Sequence, residues 1–189
     1  MHILARLVSR LDRIVDALIR WDEETLRAIS EHQILKPLST LFITATYLGD
    51  GYLWGMIALG LIMFGGPTDR AYVLIGLSVM IVNIAIFRMF KLLFARPRPL
   101  LAPTTCRSRF IDTYAFPSGH ATTSFAIAWV IFTYYPHPLI QFSVYLAATT
   151  IAISRVYVKE HYPLDIVFGA ILGSLTSIYL LPLFERLLL

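Results

Sequence analysis

Five long apolar stretches constrain this chain more than any other feature. They lie within residues 38–64 and at about 71–90, 120–135, 139–158 and 162–184. A helix needs about 20 apolar residues to cross the hydrocarbon of a bilayer, so these stretches read as membrane spans. The third is short, and its ends are expected to extend into neighbouring protein. The first is long: its 27 residues at about 1.5 Å each make about 40 Å, against about 30 Å of hydrocarbon. Its central Gly49-Asp50-Gly51 predicts a true span starting near Thr46. That start leaves residues 35–45 at the interface and Asp50 near the membrane surface. Composition points the same way: 57% hydrophobic, 15% charged and a mean hydropathy of +0.69. Soluble domains average roughly 45–50% and about 25%. These values argue against a soluble enzyme and exclude a disordered chain. The single cysteine, Cys106, excludes a disulfide scaffold.

The N-terminus has a different pattern. Ile3, Leu4, Leu7, Val8, Leu11, Ile14, Val15, Leu18 and Ile19 recur at helical spacing, interleaved with Arg6, Arg10, Arg13 and Arg20. No run there is apolar enough to span. The pattern predicts an amphipathic helix lying on the membrane surface, followed by a second, more polar helix over residues 22–32. The expected fold class is therefore all-α: an integral membrane bundle of about five transmembrane helices plus an interfacial N-terminal helix. The expected division is an interfacial region at 1–37 and a membrane-embedded domain at 38–189.

The longest polar interval, residues 91–119, contains Pro97, Pro99, Pro103 and Pro117 with Lys91, Arg96, Arg98, Arg107 and Arg109. The prolines forbid a continuous helix, so a basic irregular loop joins the second and third spans. With five spans this loop shares one membrane side with the N-terminal region and the turn near Lys159. Three polar clusters meet there. Lys91, Arg96 and Arg98 close the second span, and rigidly placed guanidiniums suit the capture of phosphate oxygens. Pro117-Ser118-Gly119-His120 opens the third span, where free first-turn N–H groups and a glycine make an anion site. His120 then has a pKa range fit for general acid work. Ser154-Arg155, His161 and Asp165 run from the fourth span into the fifth. If the fifth helix has begun by His161, that histidine and Asp165 stack on one face. The carboxylate would then fix the tautomer and leave the other nitrogen as nucleophile or base.

Order and spacing together resemble the three-part signature of the type 2 phosphatidic acid phosphatase superfamily. That signature is Lys, six residues, Arg-Pro; then Pro-Ser-Gly-His; then Ser-Arg, five residues, His, three residues, Asp. Every position is present: Lys91, Arg98, Pro99; Pro117, Ser118, Gly119, His120; Ser154, Arg155, His161, Asp165. The resemblance covers about residues 38–184. It implies a membrane-embedded lipid phosphatase that uses no metal ion or other cofactor. His161 is implied to attack phosphorus, forming a phosphohistidine. Asp165 is implied to orient His161. His120 is implied to protonate the leaving group and then activate water. Lys91, Arg98, Arg155, Ser118 and the Gly119 N–H are implied to hold the phosphate oxygens, with Arg96 a candidate extra contact. Asn83 reads as a helix–helix hydrogen bond, and Asp50 as a counter-charge to the cationic site or to Arg88.

The net charge of +4 points to lipid headgroups or phosphate as partners, not nucleic acid. With the membrane-embedded and signature cations set aside, ten Lys/Arg lie on the active-site side and two, Arg70 and Arg186, on the other. The positive-inside rule then predicts an inner-membrane protein whose active site faces the cytoplasm. Candidate substrates are phosphatidylglycerophosphate, phosphatidate and prenyl mono- or diphosphates. Two alternatives stay open at this point: a lipid phosphotransferase using the same phosphohistidine, and a non-catalytic lipid-binding membrane protein.

Overall fold

A computed structural model describes residues 2–99 and 113–189, with residues 2–8 described as backbone only. Cys106, Arg107 and Arg109 lie outside the described residues. Every regular element among the described residues is helical: α1 (His2–Ser30), a 3-10 turn (Gln33–Leu38), α2 (Ser39–Tyr47), a π turn (Leu48–Tyr52), α3 (Leu53–Phe64), α4 (Pro67–Phe94), α5 (Gly119–Tyr134), α6 (Pro138–Tyr157) and α7 (Pro163–Leu188). Pro67, Pro138 and Pro163 each sit in a first turn, where the missing N–H costs nothing and the fixed φ favours a helix.

Among the described residues, four helical segments are long and apolar enough to cross a membrane: Gln33–Phe64, Pro67–Phe94, Pro138–Tyr157 and Pro163–Leu188. The expected third span is α5, with only 16 residues. It is the central helix, packed on α4, α6 and α7, and its small residues Ala121, Ala126 and Ala128 are fully buried. Close approach needs glycine on the facing helix. A Cβ on Gly169 of α7 would lie 2.8 Å from the Ser118 carbonyl oxygen, and Gly173 one turn on abuts the Thr122 backbone. Small residues at such crossings are what lets membrane helices pack without a solvent-driven hydrophobic effect. Buried hydroxyls add cross-links: Ser177 Oγ donates to the Ala126 carbonyl (2.9 Å), and Trp54 Nε1 donates to Ser124 Oγ (3.1 Å).

The outer surface is apolar. Leu74, Leu77, Ile81, Met89, Leu92 and Leu93 of α4 are all more than half exposed. Water would penalise a patch of this size severely, whereas lipid solvates it.

Two segments differ from the sequence reading. First, the Gly49-Asp50-Gly51 break is a kink, with Gly51 at φ 109°, and α2 continues beyond it to lie along α6. Phe42 packs on Tyr157 with ring centroids 4.8 Å apart, and Thr46 Oγ1 meets Ser154 Oγ at 2.7 Å. Residues 35–45 are thus joined to the bundle. Second, α1 is one continuous helix and not two; no glycine or proline interrupts residues 2–30 to break it. Its apolar residues Leu11, Ile14, Val15, Leu18 and Ile19 are exposed, while Asp22 and Leu26 turn into the protein. Leu26 packs against Ala152, Val156 and Ile166.

Candidate active site

The chain brings the three polar clusters together at one end of the bundle. α4 ends at Ala95, whose left-handed φ of 44° caps the helix and turns the chain into Arg96-Pro97-Arg98-Pro99. Lys91, in the last turn, is 4% exposed and donates from Nζ to the Tyr114 carbonyl at 2.7 Å. Ser118 is the N-cap of α5, its Oγ accepting from the Ala121 N–H, and its own N–H donates to the Asp165 carbonyl at 3.1 Å. Gly119 opens α5 against the ring of Phe87, 3.2 Å from where a Cβ would stand. The N-terminus of the central helix therefore points its free N–H groups at the cluster.

His120 follows, with Nε2 2.9 Å from Asp50 Oδ1. Of the two partners expected for Asp50, the structure selects the site. Gly49 makes the approach feasible, since a Cβ there would meet His120 Cδ2 at 2.7 Å.

On the other side, α6 ends at Tyr157 and the chain doubles back. The N–H groups of Glu160 and His161 both donate to the Arg155 carbonyl (3.0 and 3.2 Å). This tight reversal buries Arg155, Glu160 and His161 together. α7 starts only at Pro163, so His161 precedes the helix and does not share a helical face with Asp165. Their approach comes instead from the reversal: His161 Nδ1 lies 3.6 Å from Asp165 Oδ2. That is beyond hydrogen-bond length. Asp165 Oδ2 accepts the Tyr162 N–H at 2.8 Å, and Oδ1 takes Arg96 Nη1 at 2.7 Å.

Electrostatics define what surrounds His161. Its pKa is held well below the ordinary value of 6.5 by complete burial, and then by the positive charges of Arg155, Lys91, Arg98 and His120. The imidazole is therefore neutral at physiological pH, with a lone pair available, inside a ring of cations. Those cations are the ones the sequence singled out.

Arg96 behaves differently from the expected phosphate contact. Nη1 and Nη2 pair with Asp165 and Asp22 (2.7 and 2.6 Å), and the guanidinium lies 4.1 Å from the centroid of the Tyr162 ring. Burial pulls its pKa down, but Asp165 and Asp22 outweigh that and raise it.

Three acidic positions carry more than sequence reasoning assigned them. Glu160 is fully buried, ion-paired with Arg98 and 3.7 Å from Arg155 Nη2. Asp22, also fully buried, accepts the Leu164 N–H at 2.9 Å besides holding Arg96. Asp22 had a readable signal, since it falls on the apolar stripe of α1 in line with Leu18 and Leu26. Glu160 had none beyond adjacency to His161. Asp50 was expected to counter the cationic site or Arg88, without His120 being singled out as its partner. Asn83 is fully buried with neither amide atom hydrogen-bonded among the described residues; the expected interhelical bond is absent there.

A cleft of about 770 Å³ runs between α3 and α4 over the face of α5. Its head is lined by Asp50, Lys91, Gly119 and His120, its body by residues such as Ala58, Leu77 and Met80, and its far end by Tyr72, Tyr134 and Tyr135. Among the described residues no group of three or more His, Cys, Asp or Glu is placed to hold a metal ion.

The helical bundle thus carries, at one end, a buried ring of cations around a neutral histidine. Residues 71–188 match the PAP2 superfamily model, and the chain belongs to that superfamily as a membrane lipid phosphatase. It is similar to a protein called undecaprenyl-diphosphatase from Sulfolobus acidocaldarius, 26% identical over 159 residues, covering 84% of this chain and 76% of that one. It also resembles the crystal structure of Aquifex aeolicus LpxE, with TM-score 0.63 and 26% identity over 84% of this chain and 93% of that one. The fold is shared with a PAP2-type phosphatidylglycerolphosphate phosphatase from Bacillus subtilis, with TM-score 0.66 and 21% identity over 90% of this chain and 87% of that one.

Proposed function

We propose that this protein hydrolyses a phosphate monoester or diphosphate on a lipid through a phosphohistidine, without a metal ion. The observation that carries this reading is the neutral His161 buried among Lys91, Arg98 and Arg155. Nδ1 of His161 faces Asp165, so Nε2 is the nucleophile. It attacks phosphorus as the bond to the leaving oxygen breaks, and His120 supplies that oxygen with a proton. A water then gives a proton back to His120 and attacks the phosphohistidine. Inorganic phosphate leaves and His161 is restored. Lys91, Arg98, Arg155, the Ser118 hydroxyl and the Gly119 N–H hold the non-bridging oxygens. Phosphoryl transfer depends mainly on such positioning and charge neutralisation. Asp165 positions His161.

The apolar cleft leading away from His120 supports a lipid as the carrier of the phosphate. A prenyl diphosphate is the first substrate to test, because that is what the Sulfolobus acidocaldarius relative is named for. We place the active site on the cytoplasmic face, on the charge asymmetry of the flanking segments. The deciding experiment assays purified protein on prenyl diphosphate, phosphatidate and phosphatidylglycerophosphate in EDTA, with His161→Ala alongside. Release of inorganic phosphate by the wild type alone is expected. Metal-dependent activity, or full activity of the variant, overturns the mechanism. The facing is tested separately with Thr113→Cys in a Cys106→Ser background, because Thr113 is exposed beside the site. An impermeant thiol reagent should leave this cysteine unlabelled in intact cells; labelling there contradicts a cytoplasmic face.

A further inference from the structure

Asp22 combines two properties that do not ordinarily meet. It belongs to an amphipathic surface helix, and it is completely buried. A carboxylate taken out of water is costly unless it is paired on every side, and this one is. Oδ1 accepts the Leu164 N–H at 2.9 Å, and Oδ2 takes Arg96 Nη2 at 2.6 Å. Arg96 passes the connection on, with Nη1 2.7 Å from Asp165 Oδ1. Asp165 Oδ2 in turn faces His161 Nδ1 at 3.6 Å. The Tyr162 ring beneath the Arg96 guanidinium fixes its plane. A second tie joins the same elements, from Glu31 Oε1 at the end of α1 to Lys159 Nζ, 3.1 Å apart.

The geometry of Arg96 explains what Asp22 contributes. A guanidinium left with one carboxylate pairs with both of its oxygens. Here a second carboxylate occupies Nη2, so Arg96 reaches Asp165 through a single oxygen and leaves Oδ2 to the Tyr162 N–H at 2.8 Å, on the side that faces His161 Nδ1. The bond to the Leu164 N–H also fixes the residue next to Asp165, and with it the first turn of α7. We propose that Asp22 is a positioning residue for phosphoryl transfer: acting through Arg96 and the Leu164 N–H, it keeps Asp165 aimed at His161 and makes α1 part of the catalytic apparatus. This rests on the reading of His161 as nucleophile.

The test uses the full chain in lipid vesicles, with Asp22→Asn and Arg96→Gln compared with wild type and His161→Ala. Misplacing a reacting group by about 1 Å costs about 100-fold in rate. For Asp22→Asn, kcat is expected to fall about 10- to 100-fold. KM and inhibition by orthovanadate, a probe of the phosphate cage, should stay close to wild type. Arg96→Gln, which removes the middle of the link, should give the same split and decides the matter if Asp22→Asn does not fold. An unchanged kcat overturns the proposal. So does a parallel loss in kcat, KM and orthovanadate inhibition, because Asp22 would then be a prop for the whole cage. Loss of folding in both variants has the same meaning. An active His161→Ala would instead overturn the nucleophile assignment. An inactive His161→Ala beside an unaffected Asp22→Asn overturns only the role of Asp22.

Discussion

In the head, the polar cluster around His161, the protein buries charge; along the body, the α3–α4 cleft that Lys91 and His120 join to it, it displays little. The side chains of Arg98, Arg155, Glu160 and His161 are each at most 7% exposed and Lys91 is 4% exposed, with carbonyls and carboxylates as partners. The body between Gly55 and Tyr135 is walled by alanine, glycine, leucine, isoleucine and methionine. In the proposed reaction the head meets a group with fixed charge and geometry, so each contact requires one residue type at one place. The body meets an apolar chain, for which many side chains serve equally. On the proposed function, phosphate is recognised residue by residue and the lipid by shape.

The most damaging change should be at the head. His161→Ala removes the proposed nucleophile, and activity on any lipid phosphate should fall by about 10³-fold or more; a phosphate-release assay on vesicles checks this. Next comes the cage. Arg155→Lys keeps the charge but loses the planar fork, and kcat/KM should fall about 10- to 100-fold. This loss should be the same for long- and short-chain substrates, as their paired comparison would reveal.

Filling the body should do the reverse. Gly55 lines the cleft with no atom within 4 Å of a would-be Cβ. Gly55→Phe should raise KM for a long-chain lipid phosphate several-fold, while a short water-soluble phosphate ester is turned over as before. An equal effect on both substrates would erase the distinction between head and body.

A pH series sharpens the same contrast. Because burial and the cation ring depress the pKa of His161, it takes up a proton only at a pH below the ordinary 6.5. The acid limb of kcat/KM should lie below that pH. The stability sign follows: below pH 6.5 the unfolded chain binds a proton at His161 that the folded chain refuses, so this group makes stability fall as pH falls. His161→Gln should weaken that pH dependence in thermal melts. The smallest effect belongs to the far end, where Tyr135 donates to Asp69 Oδ1 at 2.7 Å. Tyr135→Phe should lower Tm slightly and leave kcat unchanged.

The same division decides what could be read from the amino acids alone. Span length and hydropathy are local, so the five apolar segments were legible, as was the signature at the head, although only four of the five expected spans are long and apolar enough to cross a membrane and the third is the short central helix. Contacts between distant segments were not. Asp165 was expected beside His161 on a helix, but Pro163 starts α7 later and the tight reversal at Glu160 makes the approach. Arg96 resembled another phosphate ligand, since nothing local reveals that Asp22, 74 residues away, would take its second nitrogen. The kink at Gly51 was visible as a Gly-Asp-Gly triplet, yet its outcome depended on α2 finding α6.

The central claim is that His161 carries the phosphoryl group between lipid and water. Rapid mixing of the protein with a lipid phosphate labelled on phosphorus, followed by alkaline quench, tests it directly. The account predicts a label on His161 that survives alkali, is lost in acid, and is absent from His161→Ala. Full turnover with no label on His161, or a label on another residue, would contradict it.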